Sequence, residues 1–117
     1  MILSSSEPEY LNNCIAGMHG PIEIVSRAAM AIFSQNITTC ERSLSSEYTM
    51  FGEDVIVRHC LKMLGVRRRD DFGLLSEDHC FENPSPCLSG KVAFHPFKTP
   101  QSYFACLAQA MGHPFSE

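Results

Sequence analysis

The stretch "FGEDVIVRHCLKMLGV", residues 51–66, reads as a short helix around which the rest of the sequence can be interpreted. Apolar residues recur at helical spacing along one side of it: Ile56, Cys60 and Met63. Such a stripe is typical of an amphipathic helix that packs on a core. Gly65 is a common helix stop. The stretch therefore predicts a helix from Glu53 to Leu64.

Two adjacent carboxylates, Glu53 and Asp54, open this helix. Acidic side chains in a first turn interact favourably with the helix dipole, by about 0.3–1 kcal/mol each. A carboxylate held at such a position can also accept a proton during catalysis. The pair alone does not distinguish these two interpretations, so the flanking sequence has to decide between them.

The region before this helix predicts one strand, one helix and a loop. A polar strip runs to about residue 13, and "IEIV" at 22–25 then follows a Gly-Pro turn and predicts a short strand. Ser26 is a good N-cap for a helix over 26–35. Residues 36–51 are polar and rich in Ser and Thr, which favours a loop.

The region after the helix predicts two further extended segments and a last helix. Residues 66–75 are expected to form a strand or extended turn, and residues 76–90 a loop. "KVAFHPF" at 91–97 predicts a short strand that its proline interrupts. A final helix is expected over 100–112, because it opens with proline and ends with glycine.

Helices that alternate with short apolar strands favour the α/β class. About three strands are too few for a complete doubly wound sheet. A chain of 117 residues can form one small domain or part of a larger one. We therefore predict one partial α/β domain over 1–117, with about three helices and short strands.

Composition and charge exclude several classes of function. The net charge is -4 with nine Lys and Arg residues, which argues against a nucleic-acid-binding surface. Only "RRRDD" at 67–71 is locally basic. No apolar run approaches the roughly 20 residues that span a membrane. The first ten residues do not have the pattern of a signal peptide, so any targeting segment is expected outside this chain.

Six cysteines are many for a chain of this size. No CxxC pair occurs, which disfavours a zinc ribbon or a thioredoxin-type site. Their wide spacing favours disulfides between distant segments in an oxidising compartment, although the sequence does not fix their pairing. The "NIT" triplet at Asn36 is a glycosylation acceptor of the same compartment. Buried reduced cysteines and an unused acceptor site remain the alternative.

Three motifs together resemble the C-terminal half of the fringe-like and core 1 β1,3-galactosyltransferase-like glycosyltransferases. The family pattern GGAGxxxS is similar to "MHGPIEIVS" at 18–26, and EDxxxGxCLxxxGV is similar to "EDVIVRHCLKMLGV" at 53–66. The core 1 branch carries FHPF, which stands here at 94–97. The resemblance extends over about 17–105, and the motifs occur in the family's order.

The resemblance implies a GT-A (Rossmann-like) fold and an inverting, metal-dependent transfer from a UDP-sugar donor. The expected reaction adds a hexose, of galactose or N-acetylglucosamine type, in β1,3 linkage to a glycan or glycoprotein acceptor. The family's nucleotide-binding half and its Asp-X-Asp motif for Mn²⁺ precede the matched region. We therefore expect residues 1–117 to be the acceptor-side half of the domain, inactive when isolated.

The resemblance also assigns roles to individual residues. Asp54 matches the catalytic base, and Glu53 matches the neighbour that positions the acceptor or donor. His95 matches the histidine ligand of Mn²⁺. The substrate-binding positions are expected to be His19, Gly20, Pro21 and Arg58. The remaining histidines are expected to be structural or exposed: His59, His79 and His113.

Two departures from the family pattern bear on substrate binding. Pro21 and Ile22 replace the Ala-Gly end of the glycine turn, which affects how closely a substrate can approach the backbone. Arg58 stands where the family usually has glycine, so a long cation is introduced near the expected site.

The family resemblance implies a location in the lumen of the Golgi or endoplasmic reticulum, as part of a type II membrane protein whose anchor precedes this chain. Two other classes of function remain open. One is a non-catalytic relative that binds a glycoprotein or a partner enzyme. The other is a small disulfide-linked secreted module whose similarity to the family is accidental.

Overall fold

The computed structural model describes residues 6–47, 50–80 and 84–112. Within these residues the chain forms four helices, four short strands and one 3-10 turn. In chain order the elements are β1 (Glu9–Asn12), α1 (Arg27–Gln35), α2 (Ile37–Ser43), α3 (Glu53–Met63), β2 (Arg67–Asp70), β3 (Leu75–Glu77), the 3-10 turn (Cys87–Ser89), β4 (Ala93–His95) and α4 (Pro100–Ala110). The predicted mixed α/β class is confirmed.

The strands form two small parallel sheets. β1 pairs with β2, so that Glu9 lies opposite Arg67. β3 pairs with β4, so that Glu77 lies opposite His95. The chain from β1 to β2 passes through α1, α2 and α3, as a parallel connection requires a crossover.

Helices α1, α3 and α4 begin and end close to the residues that their local sequence signals predict. The Ser26 hydroxyl accepts the N–H of Ala29 at 3.1 Å and caps α1, and it also accepts the N–H of Glu9 at 3.0 Å. Gly65 follows α3 with a φ of 77°, a left-handed conformation that suits glycine. Thr99 caps α4, and Pro100 occupies its first position. The predicted bounds of α1, α3 and α4 agree with the structure within one or two residues.

The sequence predicts no strand in the N-terminal polar strip, and this is wrong. The strip contains β1, whose four residues are all buried. The buried carboxylate of Glu9 is paired with Arg69 at 3.3 Å, and the side chain of Asn12 donates to Asp70 at 3.0 Å. The carboxylate of Glu9 and the side-chain N–H of Asn12 thus have partners on β2, whereas Oδ1 of Asn12 is buried without a partner among the described residues.

Two other local predictions were also wrong. The segment 22–25 forms no strand, because only Val25 makes an isolated bridge, to Tyr10. Residues 36–51 were predicted as a loop, but α2 begins at Ile37 and is attached to α3 by the disulfide between Cys40 and Cys60.

The main core forms where α1 and α3 pack beside β1. Its buried members are Tyr10, Met18, Ala29, Leu61 and Val66. The predicted apolar stripe of α3 needs correction, because Met63 is 42% exposed. Val57 and Leu61 face the core instead, together with Leu64, since the helix packs against α1 through that side.

All six cysteines are paired in disulfides, as the sequence predicted for an oxidising compartment. The pairs are Cys14–Cys80, Cys40–Cys60 and Cys87–Cys106. The first one joins segments 66 residues apart and attaches the turn after β1 to the region after β3. Among the described helices, none has both the length and the apolar character to cross a membrane. Predictions for residues 48–49, 81–83 and His113 lie outside the described part.

Candidate functional site

All the residues that the sequence predicted for the site, except Arg58, line one open cavity of about 420 Å³. Its lining residues are His19, Gly20, Pro21, Glu53, Asp54 and His95. The turn after β1, the first turn of α3 and the end of β4 contribute these residues. The fold thus brings together three motifs that are distant in the sequence.

Asp54 is fixed by two main-chain hydrogen bonds. Its Oδ1 accepts the N–H of Val55 at 2.9 Å, and its Oδ2 accepts the N–H of Gly20 at 3.0 Å. Gly52, the N-cap of α3, has no side chain to satisfy the first N–H groups of the helix. The carboxylate therefore has a structural function, while each oxygen keeps a lone pair that can still accept a proton.

The side chain of Asn13, which is 2% exposed, holds the turn that carries Gly20 through hydrogen bonds. Its side-chain amide donates to the carbonyls of His19 at 3.1 Å and Ile22 at 2.6 Å. Its Oδ1 accepts the N–H of His19 at 2.8 Å. Sequence reasoning missed Asn13, because nothing in its local pattern distinguishes it from the polar strip around it.

The ring of His19 is engaged by the turn itself. Its Nδ1 lies 2.9 Å from the carbonyl oxygen of Gly17, to which it donates. Its Nε2 lies 4.0 Å from Sγ of Cys14. Cys14 and Cys80 lie close enough to His19 to suggest a metal site. Their sulfurs form a disulfide, however, so they offer no thiolate to a metal.

His95 is oriented by a buried carboxylate. Its Nδ1 pairs with Oε2 of Glu77, which is fully buried, and Oε1 of Glu77 accepts the N–H of His79 at 3.2 Å. Because a carboxylate accepts this bond, Nδ1 carries a proton, and in the neutral imidazole Nε2 keeps a lone pair. A carboxylate behind a histidine is the usual support of a metal-binding imidazole. Glu77 lies in a segment predicted as loop, so sequence reasoning missed it.

Glu23 adds a third carboxyl group beside the acidic pair. Its pKa is raised to about 7, first by partial burial, then by the charge of Glu53 and a hydrogen bond to it, and also by the charge of Asp54. Two carboxyl groups that share a hydrogen bond hold one proton between them. Sequence reasoning missed Glu23, which was counted as part of a strand.

Arg58 does not line the cavity of Asp54. Its Nη1 donates to the carbonyl of Ala16 at 2.9 Å, and its side chain lines a different cavity, on the other side of the turn. A Cβ atom at Gly17 would overlap this guanidinium group, and Gly17 has a φ of 118°. Arg58 therefore packs directly against the loop that leads into the turn.

Comparisons with known proteins identify no relative of this chain. No family model matches it. No curated protein and no solved structure matches it either.

Proposed function

We propose that this chain is the acceptor-side, C-terminal half of an inverting, metal-dependent glycosyltransferase with a GT-A fold, of the fringe-like and core 1 β1,3-galactosyltransferase-like kind. One observation carries the proposal: the glycine turn, the acidic start of α3 and the FHPF segment line the same cavity. Groups that serve one reaction have to meet in space. If the similarity of the three motifs were accidental, nothing would require them to line the same cavity.

In the proposed reaction, the oxygen of an acceptor hydroxyl attacks the anomeric carbon of the UDP-sugar. The bond between that carbon and UDP breaks, and UDP leaves with the bonding electrons. Asp54 takes the proton of the attacking hydroxyl, as the single base that an inverting transfer needs. The hydrogen bonds from Gly20 and Val55 fix the direction of its carboxylate. Glu53 positions a substrate, and Glu23, whose pKa is raised to about 7 by burial and by the charges of Glu53 and Asp54, lies beside it.

The histidine of the cavity fits a role as ligand of Mn²⁺. Glu77 holds the proton of His95 on Nδ1, which leaves the Nε2 lone pair for a cation. Imidazole nitrogen suits Mn²⁺ in combination with carboxylate and diphosphate oxygens. The Asp-X-Asp ligands belong to the half that lies outside 1–117. The ion would neutralise charge on the leaving diphosphate.

The proposed donor is a UDP-linked galactose or N-acetylglucosamine, transferred in β1,3 linkage to a glycan or glycoprotein. The three disulfides are compatible with the lumen of the Golgi or endoplasmic reticulum, where a type II membrane protein of this kind acts.

The test is to extend the reading frame upstream and assay the extended protein for UDP release. We expect the extension to encode an Asp-X-Asp motif, and release to require both acceptor and Mn²⁺. Asp54→Asn is expected to abolish most of the release. Glu41→Gln, at an exposed position of α2, serves as the matched control. A folded, extended protein without acceptor-stimulated release would contradict the proposal.

A second candidate is a non-catalytic relative that binds a glycoprotein or a partner enzyme. The observation in its favour is that both oxygens of Asp54 already accept main-chain N–H groups. The UDP-release assay, combined with a measurement of glycoprotein binding, separates the two functions, since a non-catalytic relative would bind glycoprotein without releasing UDP.

A further inference from the structure

We propose that the cavity between the loop at 15–17, α3 and β2 binds a tetrahedral oxyanion, such as the phosphate or sulfate group of a small polar ligand. The cavity has a volume of about 420 Å³ and shares no lining residue with the cavity of Asp54. The proposal therefore does not depend on the proposed transferase activity.

The charge of this cavity is opposite to that of the chain. The chain has a net charge of -4, yet none of the described residues that line the cavity has a carboxylate. Its lining includes three side chains that are cationic at neutral pH: Arg58, Lys62 and Arg68. A concave surface lined by one sign of charge concentrates ions of the opposite sign.

Nearby carboxylates neutralise only part of this charge. Arg68 pairs with Asp70 at 3.2 Å, and His59, which also lines the cavity, pairs with Glu47 at 2.8 Å. Within the described residues, neither Arg58 nor Lys62 forms an ion pair with a carboxylate. These two cations are one helical turn apart on α3 and thus on the same side of the helix.

Arg58 is held in place before any ligand arrives. One of its N–H groups is donated to the carbonyl of Ala16 at 2.9 Å. Its guanidinium occupies the space that a side chain at residue 17 would need. A guanidinium has five N–H donors, so the remaining ones are left for a ligand. A cation fixed in this way loses little conformational entropy on binding.

Tyr10 supplies a further donor in the wall of the cavity. The residue is 4% exposed and lines the cavity. Burial raises the pKa of Tyr10, although the charges of Arg68 and Arg58 oppose this shift. The hydroxyl therefore stays protonated and can donate. An anion in the cavity would accept this hydrogen bond.

The donors come from different elements, which favours a tetrahedral ligand over a planar one. Tyr10 lies on β1, Arg68 lies on β2, and the pair of cations lies on α3. A carboxylate is satisfied by a single guanidinium in a bidentate pair. Phosphate and sulfate have oxygens pointing in several directions, so they can accept from donors on all sides of a cavity.

The experiment is a calorimetric titration of the 117-residue chain with inorganic phosphate, inorganic sulfate and acetate, at one ionic strength maintained with chloride and at a temperature where circular dichroism shows the chain to be folded. We expect saturable binding of phosphate or sulfate and weaker binding of acetate. If phosphate binds more tightly than sulfate, the ligand carries a phosphate group; if sulfate binds more tightly, the ligand carries a sulfate group. Linear, unsaturable heats, or acetate binding as tightly as phosphate and sulfate, would overturn the proposal.

Variants locate the binding. Because each substitution removes a charged hydrogen bond to the ligand, Arg58→Gln and Lys62→Gln are each expected to raise the Kd about tenfold or more. Lys62 is exposed, so its substitution leaves the fold intact, as circular dichroism can verify. Arg42→Gln removes a cation from α2, outside the cavity, and is expected to leave the Kd unchanged. Equal weakening by Arg42→Gln and Lys62→Gln would mean non-specific charge attraction and would exclude this site.

Discussion

The carboxylate of Asp54 accepts the backbone N–H of Gly20 at 3.0 Å, across 34 residues of sequence. This bond joins the start of α3 to the turn after β1 and so forms one wall of the cavity. It explains why a glycine turn and an acidic helix start occur together in the sequence. It also means that the structural and the proposed catalytic role of Asp54 have to be separated by experiment.

Asp54→Asn separates these roles in the extended protein. The amide keeps the shape and an acceptor oxygen but does not take a proton at neutral pH, so we expect turnover to fall by about 10²-fold or more while UDP-sugar binding persists. Glu53→Gln is expected mainly to raise the apparent KM for the acceptor. Steady-state kinetics, normalised to the folded fraction measured by circular dichroism, provide the measurement. Normal turnover in the folded fraction would assign Asp54 to the helix end alone.

Glu23→Gln is expected to change how stability depends on pH. The pKa of Glu23 is raised from its ordinary value of 4.5 to about 7. Between these values the folded chain binds more protons than the unfolded chain, so its free energy of unfolding falls as pH rises through this window. Glutamine removes this dependence, so the variant should gain stability relative to the native sequence at pH 8. Urea denaturation at pH 5 and pH 8 measures the difference.

Glu41→Gln is the control for this effect. Glu41 lies at an exposed position of α2 and does not line the cavity beside Glu53. Its substitution should leave the difference in stability between pH 5 and pH 8 as it is in the native sequence. If Glu23→Gln also left that difference unchanged, the two carboxyl groups would not share a proton.

A structural feature could be predicted from the sequence when the residues that determine it lie close together in the chain. Ser26 and Gly65 act within one turn of their own helices, so the ends of α1 and α3 could be predicted. β1 could not, because the burial of Glu9 depends on its pairing with Arg67 and Arg69, which lie far along the chain. Glu77 was missed for the same reason, since its role depends on the register that brings it opposite His95.

We expect the isolated chain to be marginally stable and to show no glycosyl transfer. Large apolar side chains remain exposed near and along α4: Leu88 at 68%, Val92 at 63%, Phe104 at 60% and Met111 at 62%. Such a surface is typical of a contact site or an aggregation site. Calorimetry and light scattering should show a low, broad transition or self-association. A sharp transition at high temperature from a monomer would argue against a half domain, and acceptor-stimulated UDP release would mean that the active site is misplaced.

Substitution of Glu77 tests whether His95 is a metal ligand. Glu77→Gln preserves volume and an acceptor for Nδ1 of His95 but removes the buried charge behind the imidazole. Loss of such a supporting carboxylate typically weakens metal affinity by about 10–100-fold. In the extended protein we therefore expect the Mn²⁺ concentration for half-maximal activity to rise by this factor, with turnover restored at saturating Mn²⁺. His95→Ala should raise that concentration further. If either variant lowered turnover without changing the Mn²⁺ requirement, His95 would act on the substrate rather than on the ion.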